Sequence, residues 1–234
     1  MLLMFASMAP AQSKWELSFH IGYSNPLLET RGGKVTINAT EDQIFIDGKR
    51  LVVADYLGAD AGYTAEAYVK YNIAAKGYAR ILFNLGYNQL FGLTTGADDY
   101  DVGVRTVSFS LGLGTEINPL GDKRFYPSVF GLMRLNFIGG ESFHKAGLDF
   151  FKVTNRLGYT AGLNMNYKIS PKIGIYVGGS YSFDNSWNRQ TDSSTPVDAH
   201  VIVFNDAASS TNGLTHDRRV AYSSFYAGMN FYLR

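Results

Sequence analysis

The sequence predicts an all-β fold, an eight-stranded antiparallel up-and-down β-barrel that crosses a membrane with its strands. Three observations lead to this prediction. Apolar and polar residues alternate over eight segments, most of which are longer than the usual strand of a soluble protein. The segments are joined alternately by short and long connections. Aromatic residues lie near both ends of the apolar faces, as in membrane barrels.

The composition is compatible with this fold and argues against several others. The chain has 234 residues, no cysteine and a formal net charge of +1. The near-zero charge argues against a nucleic-acid partner, whose phosphates require a basic excess. The lack of cysteine excludes disulfide scaffolds and thiolate metal sites, and no spacing of histidines and acids suggests another metal or a cofactor. No apolar run reaches the roughly 18 residues of a membrane helix, but membrane strands need no such run.

The first eleven residues resemble the end of a cleaved signal peptide. Met1–Met8 is apolar, and Ala9-Pro10-Ala11 supplies the small-x-small pattern that precedes cleavage. We therefore expect residues 1–11 to be a remnant of a longer signal peptide and residues 12–234 to form the barrel domain. The alternative is an ordinary apolar N-terminus.

The eight predicted strands show a period of two residues. In the first, Leu17 and Phe19 fall on one face, and Ser18 and His20 fall on the other. The predicted strands are residues 15–23, 61–73, 78–89, 104–117, 125–138, 157–169, 173–183 and 224–233.

The connections predict which end of the barrel faces which side of the membrane. Short turns are expected at 74–77, 118–124 and 170–172, and long loops at 25–60, 90–103, 139–155 and 184–219. This asymmetry is typical of outer-membrane barrels, whose short turns are periplasmic and whose long loops are extracellular. Residues 43–53 are predicted to form a hairpin around Asp47-Gly48, and residues 199–204 a further short strand. Charged flanks argue against the hairpin adding two membrane strands, which would make ten.

The polar and apolar faces distinguish a membrane barrel from a lipocalin-like barrel. The polar faces are mostly Gly, Ser, Thr and Asn, which suits a crowded interior better than a solvated surface. The apolar faces carry rings at both ends, which predicts two aromatic girdles. The girdle residues are Trp15, Tyr71, Tyr167 and Phe231 at the short-turn end, and Tyr23, Tyr63, Tyr87, Phe137, Tyr159 and Phe183 at the long-loop end.

The last strand carries a family resemblance. Residues 225–234 alternate aromatic positions and resemble the final strand of outer-membrane proteins, although the chain ends on Arg234 instead of Phe or Tyr. The mature chain resembles the small OmpA/OmpX-type outer-membrane β-barrel superfamily of Gram-negative bacteria. The resemblance implies location in the cell outer membrane and contact with lipopolysaccharide and phospholipid. It also implies recognition of the last strand by the outer-membrane assembly machinery.

The predicted interior carries charged residues of both signs. Eight strands leave room for side chains but not for a wide channel, so we expect these charges to pair and to plug the lumen. The alternative is a narrow pore or transporter for small solutes. The predicted lumen network consists of Glu16, His20, Glu66, Lys70, Arg80, Glu116, Arg134 and Lys168.

These features predict a structural or surface-interaction role, adhesin-like, with an extracellular protein or glycan as the ligand, and no enzymatic activity. A second alternative is a lipid-modifying enzyme of the outer membrane. Its best candidates are His20 as base and Ser18 as nucleophile, on one face of the first strand, but no spacing identifies a carboxylate partner.

Overall fold

The computed structural model describes residues 14–32, 35–38, 43–46, 49–50, 54–95, 101–121, 123–144, 147–190, 201–210 and 214–233. The predicted signal-peptide remnant therefore lies outside the described residues. Within them, no helix has both the length and the apolar character needed to cross a membrane. The described strands are β1 (Trp15–Leu27), β2 (Val35–Asn38), β3 (Gln43–Ile46), β4 (Lys49–Arg50), β5 (Ala61–Asn72), β6 (Ala79–Thr95), β7 (Asp101–Ile117), β8 (Phe125–His144), β9 (Gly147–Lys168), β10 (Ile173–Trp187), β11 (Val201–Ile202) and β12 (Ala221–Leu233).

Eight long strands form one closed antiparallel barrel. The order around the wall is β1, β5, β6, β7, β8, β9, β10 and β12, and each strand pairs with the next barrel strand along the chain. The barrel closes because β12 pairs with β1 from Trp15↔Leu233 to Leu27↔Ala221. The predicted eight-stranded up-and-down barrel is confirmed.

The pleat of the strands separates the outer face of the wall from the lumen. On the outside, Leu113 lies between Phe83 and Met133 on the neighbouring strands, and the three side chains are 50–62% exposed. On the inside, Glu116 and Arg134 are almost completely buried. The alternation in the sequence therefore corresponds to an apolar outer belt around a filled interior.

Two of the predicted long loops are wrong, because the strands continue through them. Pairing of β6 with β7 extends to Thr95↔Asp101 inside the predicted loop 90–103. Pairing of β8 with β9 extends to His144↔Gly147 inside the predicted loop 139–155, after a register shift between Ile138 and Gly140. These extensions contact β2, β3 and β11 as well as their neighbours in the wall, and this environment does not impose the two-residue alternation of a membrane wall.

The other two long loops form additional structure at the same end of the barrel. β2, β3 and β4 make a separate antiparallel sheet, and Ile46↔Lys49 pairing confirms the predicted hairpin, although Asp47 and Gly48 lie outside the described residues. The ten-stranded alternative is therefore wrong. The predicted strand in 199–204 is present as β11, which pairs in parallel with the extension of β9. β2 was not predicted.

The outer belt gives a testable prediction. We expect Leu113→Lys to destabilise the protein in phospholipid vesicles by about 2–4 kcal/mol, because a cation in the middle of the belt would face hydrocarbon. The measurement is urea unfolding followed by tryptophan fluorescence. The matched control is Leu148→Lys on the β9 extension, also exposed, for which we expect a change of about 0.5 kcal/mol or less. Equal losses for the two variants would contradict a lipid-facing belt.

Candidate functional site

The lumen near the short-turn end is filled by four charged side chains, here called the basal cluster: Glu16, Lys70, Arg80 and Glu116. They come from β1, β5, β6 and β7, and each is at most 2% exposed. Lys70 Nζ lies 3.2 Å from Glu16 Oε1 and 2.9 Å from Glu116 Oε2, and Arg80 forms ion pairs with the same two carboxylates. Two negative and two positive groups therefore neutralise one another inside the wall.

A second group, here called the middle cluster, consists of His20, Glu66, Asn84 and Arg134. Arg134 forms an ion pair with Glu66 and donates hydrogen bonds to Asn84 Oδ1, while Asn84 Nδ2 donates to Glu66 Oε2 at 3.1 Å. His20 Nε2 lies 3.9 Å from Glu66 Oε2. A Cβ atom on Gly86 would lie 2.8 Å from Arg134 Nη2, so the absence of a side chain there leaves room for the guanidinium.

Rings and aliphatic side chains fill the space around these clusters. We call this set the apolar layer: Tyr68, Leu82, Phe130, Leu132, Tyr176 and Tyr226. The hydroxyl of Tyr68 donates to Glu66, Tyr176 Oη lies 3.1 Å from His20 Nδ1, and the ring of Tyr226 stacks on His20 at 3.9 Å. Packed side chains as well as charge pairs therefore occupy this part of the lumen.

Lys168 occupies a different place from the other predicted lumen residues. Its ammonium lies 4.7 Å from the ring centre of Tyr232 and 5.9 Å from that of Tyr126, at the short-turn end. Contact with ring faces is a favourable environment for a cation. The sequence predicts Lys168 on the inward face but does not indicate this aromatic environment.

The predicted girdle residues lie on the outer face, several in direct ring contact. The rings of Trp15 and Tyr71 are 4.7 Å apart near the short-turn end, and those of Tyr159 and Phe183 are 5.8 Å apart near the long-loop end. The belt between these two ends contains exposed Phe19 and Phe83 as well as aliphatic residues. Tyr23, Tyr63, Tyr87, Phe137, Tyr167 and Phe231 occupy outer-face positions of the same alternating pattern.

The long-loop end is covered by a folded structure that we call the cap, the described parts of 28–60 and 188–220. Arg156 in the β9 extension forms a two-point ion pair with Asp206, at 2.8 and 2.9 Å, and all these groups are buried. Arg219 pairs with Glu29, which joins the two loops to each other. Phe204 packs with Leu57, Ile138 and Val220 into a small core. The cap is thus held by buried contacts to the barrel.

Asp55 joins the two cap loops through a carboxylate. Its oxygens accept hydrogen bonds from Lys49 Nζ, from the hydroxyl and backbone N–H of Thr215 and from the backbone N–H of His216. Burial acts to raise the pKa of Asp55, but these donors outweigh it and hold that pKa well below its ordinary value. The contact therefore favours the ionised carboxylate.

The arrangement around His20 bears on the enzyme alternative. The Ser18 hydroxyl donates to Asn230 Oδ1 at 2.7 Å and to Glu16 Oε1 at 3.2 Å. His20 is instead directed to Tyr176 and Glu66. A nucleophile needs its base within hydrogen-bond reach, and here Ser18 and His20 belong to two different networks. Among the described residues, no three or more His, Asp or Glu side chains are grouped to hold a metal ion.

Comparison with known proteins identifies the fold. No protein-family model and no curated protein matches the sequence. The crystal structure of Neisserial surface protein A (NspA) has a TM-score of 0.51 and 11% identity, covering 94% of this chain and 98% of that one. Ail of Yersinia pestis, solved with the heparin analogue sucrose octasulfate, has a TM-score of 0.48 and 13% identity, covering 93% and 99%. OprG of Pseudomonas aeruginosa has a TM-score of 0.42 and 10% identity, covering 95% and 98%.

The chain has the fold of the small outer-membrane β-barrels. The alignment with NspA covers nearly all of both chains, so the match includes the whole barrel. At 11% identity the likeness shows the fold alone.

The sequence indicated the charged part of this barrel's interior but missed several residues that complete it. The structure joins Glu16, Lys70, Arg80 and Glu116 in one cluster, and His20, Glu66 and Arg134 in another. Tyr68, Tyr176 and Tyr226 share the inward face with these residues. Their positions in the two-residue alternation of the sequence therefore indicate that they point into the lumen. The Arg156–Asp206 pair carried no such signal, because it joins a strand to a distant loop.

The middle cluster gives a prediction for this barrel's stability. We expect Glu66→Gln to cost about 3–5 kcal/mol, because it leaves the buried Arg134 cation without its counter-charge. The matched control is Glu141→Gln, which removes a partner of the more exposed Arg105 and should cost at most about 1 kcal/mol. Urea unfolding in detergent micelles, monitored by the gel mobility of unboiled samples, measures both. A loss for Glu66→Gln no larger than that of the control would contradict the role of the pair.

Asp55 gives a prediction for the cap's dependence on pH. Its pKa is lower in the folded than in the unfolded chain, so its stabilisation is present above the unfolded value of about 3.9 and declines as pH falls below it. We expect Asp55→Asn to be less stable than wild type at pH 7, with a smaller difference at pH 3. Urea unfolding followed by tryptophan fluorescence, which includes Trp187 near the cap, measures it. A difference that is constant between the two pH values would contradict the prediction.

Proposed function

We propose that this protein is an integral outer-membrane barrel of a Gram-negative bacterium that acts as a closed scaffold and presents its cap outside the cell. In this role the belt contacts lipopolysaccharide and phospholipid, and the assembly machinery recognises β12. The short turns face the periplasm, and the cap has a structural or adhesin-like role toward an extracellular protein or glycan. The proposed activity is binding, without catalysis.

The outer surface supports the membrane assignment. Exposed apolar side chains surround the wall, including Leu85, Leu111 and Val177. Soluble proteins rarely expose a continuous apolar surface of this size. A closed barrel leaves no unpaired strand edge in lipid, which is the condition for spanning a membrane with β-structure.

The burial of the lumen side chains is the main observation that favours a scaffold over a pore. The basal cluster and the middle cluster occupy successive levels of the interior, and the apolar layer fills the space around them. Glu16, Glu116, Arg134 and Tyr176 are all at most 3% exposed, so neither end provides them with solvent contact. A continuous aqueous path would require wetted charged groups along the lumen. No contact among the described residues therefore favours the narrow-pore alternative.

The cap supports a role at the cell surface. Two loops and the strand extensions form a packed structure with its own cores, one of which contains Ile44, Ile46 and Phe151. Ordering these loops costs conformational entropy, and loops that only connect two strands do not need to be ordered. The cap also presents a separate three-stranded sheet, and sheet edges can bind partners by strand addition.

The proposal is tested with wild type and with a variant in which a Gly-Ser linker replaces residues 35–50. We expect both proteins to show no conductance in planar bilayers, because the lumen clusters, and not the cap sheet, close the barrel. Cells displaying wild type should bind members of an array of extracellular host proteins and glycans. The linker variant should lose that binding by about tenfold or more.

Three outcomes would contradict parts of the proposal. Discrete conductance steps from wild type would favour the pore. Binding retained by the linker variant, or absent from wild type, would remove the adhesin-like role of the cap sheet. The matched control is Leu28→Ala, an exposed residue of the cap outside that sheet, which should bind as wild type does.

A further inference from the structure

The upper lumen between Arg134 and the cap, here called the chamber, has a polar lining that differs from the clusters below it. Its walls carry small hydroxyl and amide side chains, most of which bond to one another. Ser24 donates to Asn88 Oδ1 at 2.6 Å and lies 3.1 Å from Ser224, and the hydroxyls of Thr160 and Ser182 are 2.8 Å apart. The hydroxyl and amide groups of these pairs bond to one another, and none of these described side chains carries a positive charge.

Three oxygen atoms of this chamber are buried without a hydrogen-bond partner at ordinary hydrogen-bond distance: Asp184 Oδ2, Asn136 Oδ1 and Ser108 Oγ. The three residues are 1%, 0% and 3% exposed, so bulk water does not serve them. Buried polar atoms are nearly always bonded, and an unpartnered one calls for an explanation such as a bound ion or water. Three of them in one chamber indicate that a ligand belongs there.

Contacts to Asp184 bring the three residues together from three strands. Asn136 on β8 donates Nδ2 to the backbone carbonyl of Asp184 on β10 at 2.7 Å. Because a carbonyl can only accept, this bond fixes the amide and leaves Asn136 Oδ1 as a free acceptor. The intervening β9 has Gly158 at this level, and a Cβ there would lie 2.7 Å from Asn136 Nδ2. The Ser108 hydroxyl on β7 is directed to the Asp184 carboxyl as a longer and weaker hydrogen-bond donor, and Tyr222 donates to Asp184 Oδ1 at 3.3 Å.

Asp184 also differs from the other lumen carboxylates in its charge balance. Glu16, Glu66 and Glu116 each form an ion pair with a buried lysine or arginine. Within the described part of the chain, Asp184 has no such ion pair. Arg134 attracts it from a distance, but that guanidinium is bound to Glu66, which repels Asp184. An isolated buried carboxylate is costly unless a counter-charge or a proton neutralises it.

We propose that Asp184, Asn136 and Ser108 bind a monovalent alkali cation in the upper lumen. Carboxylate, amide carbonyl and hydroxyl oxygens are the hard ligands that such ions take, and water would complete the shell. One carboxylate supplies one negative charge, which a monovalent ion balances, whereas a divalent ion would leave an excess positive charge. Water alone would satisfy the oxygens but would not neutralise Asp184. The site lies below the cap sheet, so the inference goes beyond the proposed surface role.

The first test locates the ion directly in the intact wild-type protein. Because the chamber is enclosed, the protein is refolded from urea in thallium(I) acetate, whose Tl⁺ ion is an anomalous scatterer of about the size of K⁺. We expect an anomalous peak bounded by Asp184 Oδ2, Asn136 Oδ1 and Ser108 Oγ. A peak only elsewhere, or a map with water alone at this position, would overturn the proposal.

The second test measures thermal unfolding of the protein refolded in sodium, potassium or choline chloride at equal ionic strength. A ligand that binds only the folded state raises the unfolding midpoint with saturation. We expect a midpoint roughly 3 °C or more higher in sodium or potassium than in choline, a bulky organic cation. Asp184→Asn should abolish this difference, while Glu141→Gln, which changes an acid on the outer extension, should keep it.

Each remaining outcome of the second test is also decisive. A midpoint independent of the cation in wild type would indicate a protonated Asp184 and overturn the proposal. A rise that Asp184→Asn retains would place the ion elsewhere. A rise produced by calcium but not by sodium or potassium would overturn the monovalent assignment. If Asp184→Asn does not fold, Ser108→Ala serves in its place, with a smaller cation-dependent rise as the expected result.

Discussion

The pairing of β1 with β12 is the contact on which the rest of the structure depends. It runs from Trp15↔Leu233 to Leu27↔Ala221 and turns a sheet with two open edges into a closed wall. In hydrocarbon, each unpaired backbone group costs several kcal/mol, so a sheet crosses a membrane only when it is closed. Closure also creates an interior that the sequence must fill, and this requirement explains most of the inward residues.

The interior of an eight-stranded barrel is narrow, so its contents are decided by volume as well as charge. Large side chains such as Arg134 fit because glycines stand opposite them, as Gly86 and Gly112 do. Charges in this space pair with one another because water does not solvate them. The same constraint makes Asp184 unusual. It is a buried lumen carboxylate, and no described lysine or arginine side chain forms an ion pair with it.

The long-loop end follows a different rule from the wall. There the strands leave the belt, and stability comes from contacts between segments far apart in the sequence. Asp55 bonds to Thr215 and His216, and Arg156 bonds to Asp206. A cap built in this way is ordered by contacts between its two loops and with the barrel. It also explains why β6 to β9 extend well beyond the residues whose alternation is visible.

The sequence by itself determined the number of membrane strands, their order, and the direction of nearly every side chain in the belt. It could do so because lipid outside and packed side chains inside impose a two-residue period, which is a local property of the chain. It also placed Glu16, Lys70, Arg80 and Glu116 in one interior. Only the tertiary structure decided which charges pair, how the apolar layer completes the plug, and where the strands end. These features depend on register between strands and on contacts such as Arg156–Asp206, which no local pattern encodes.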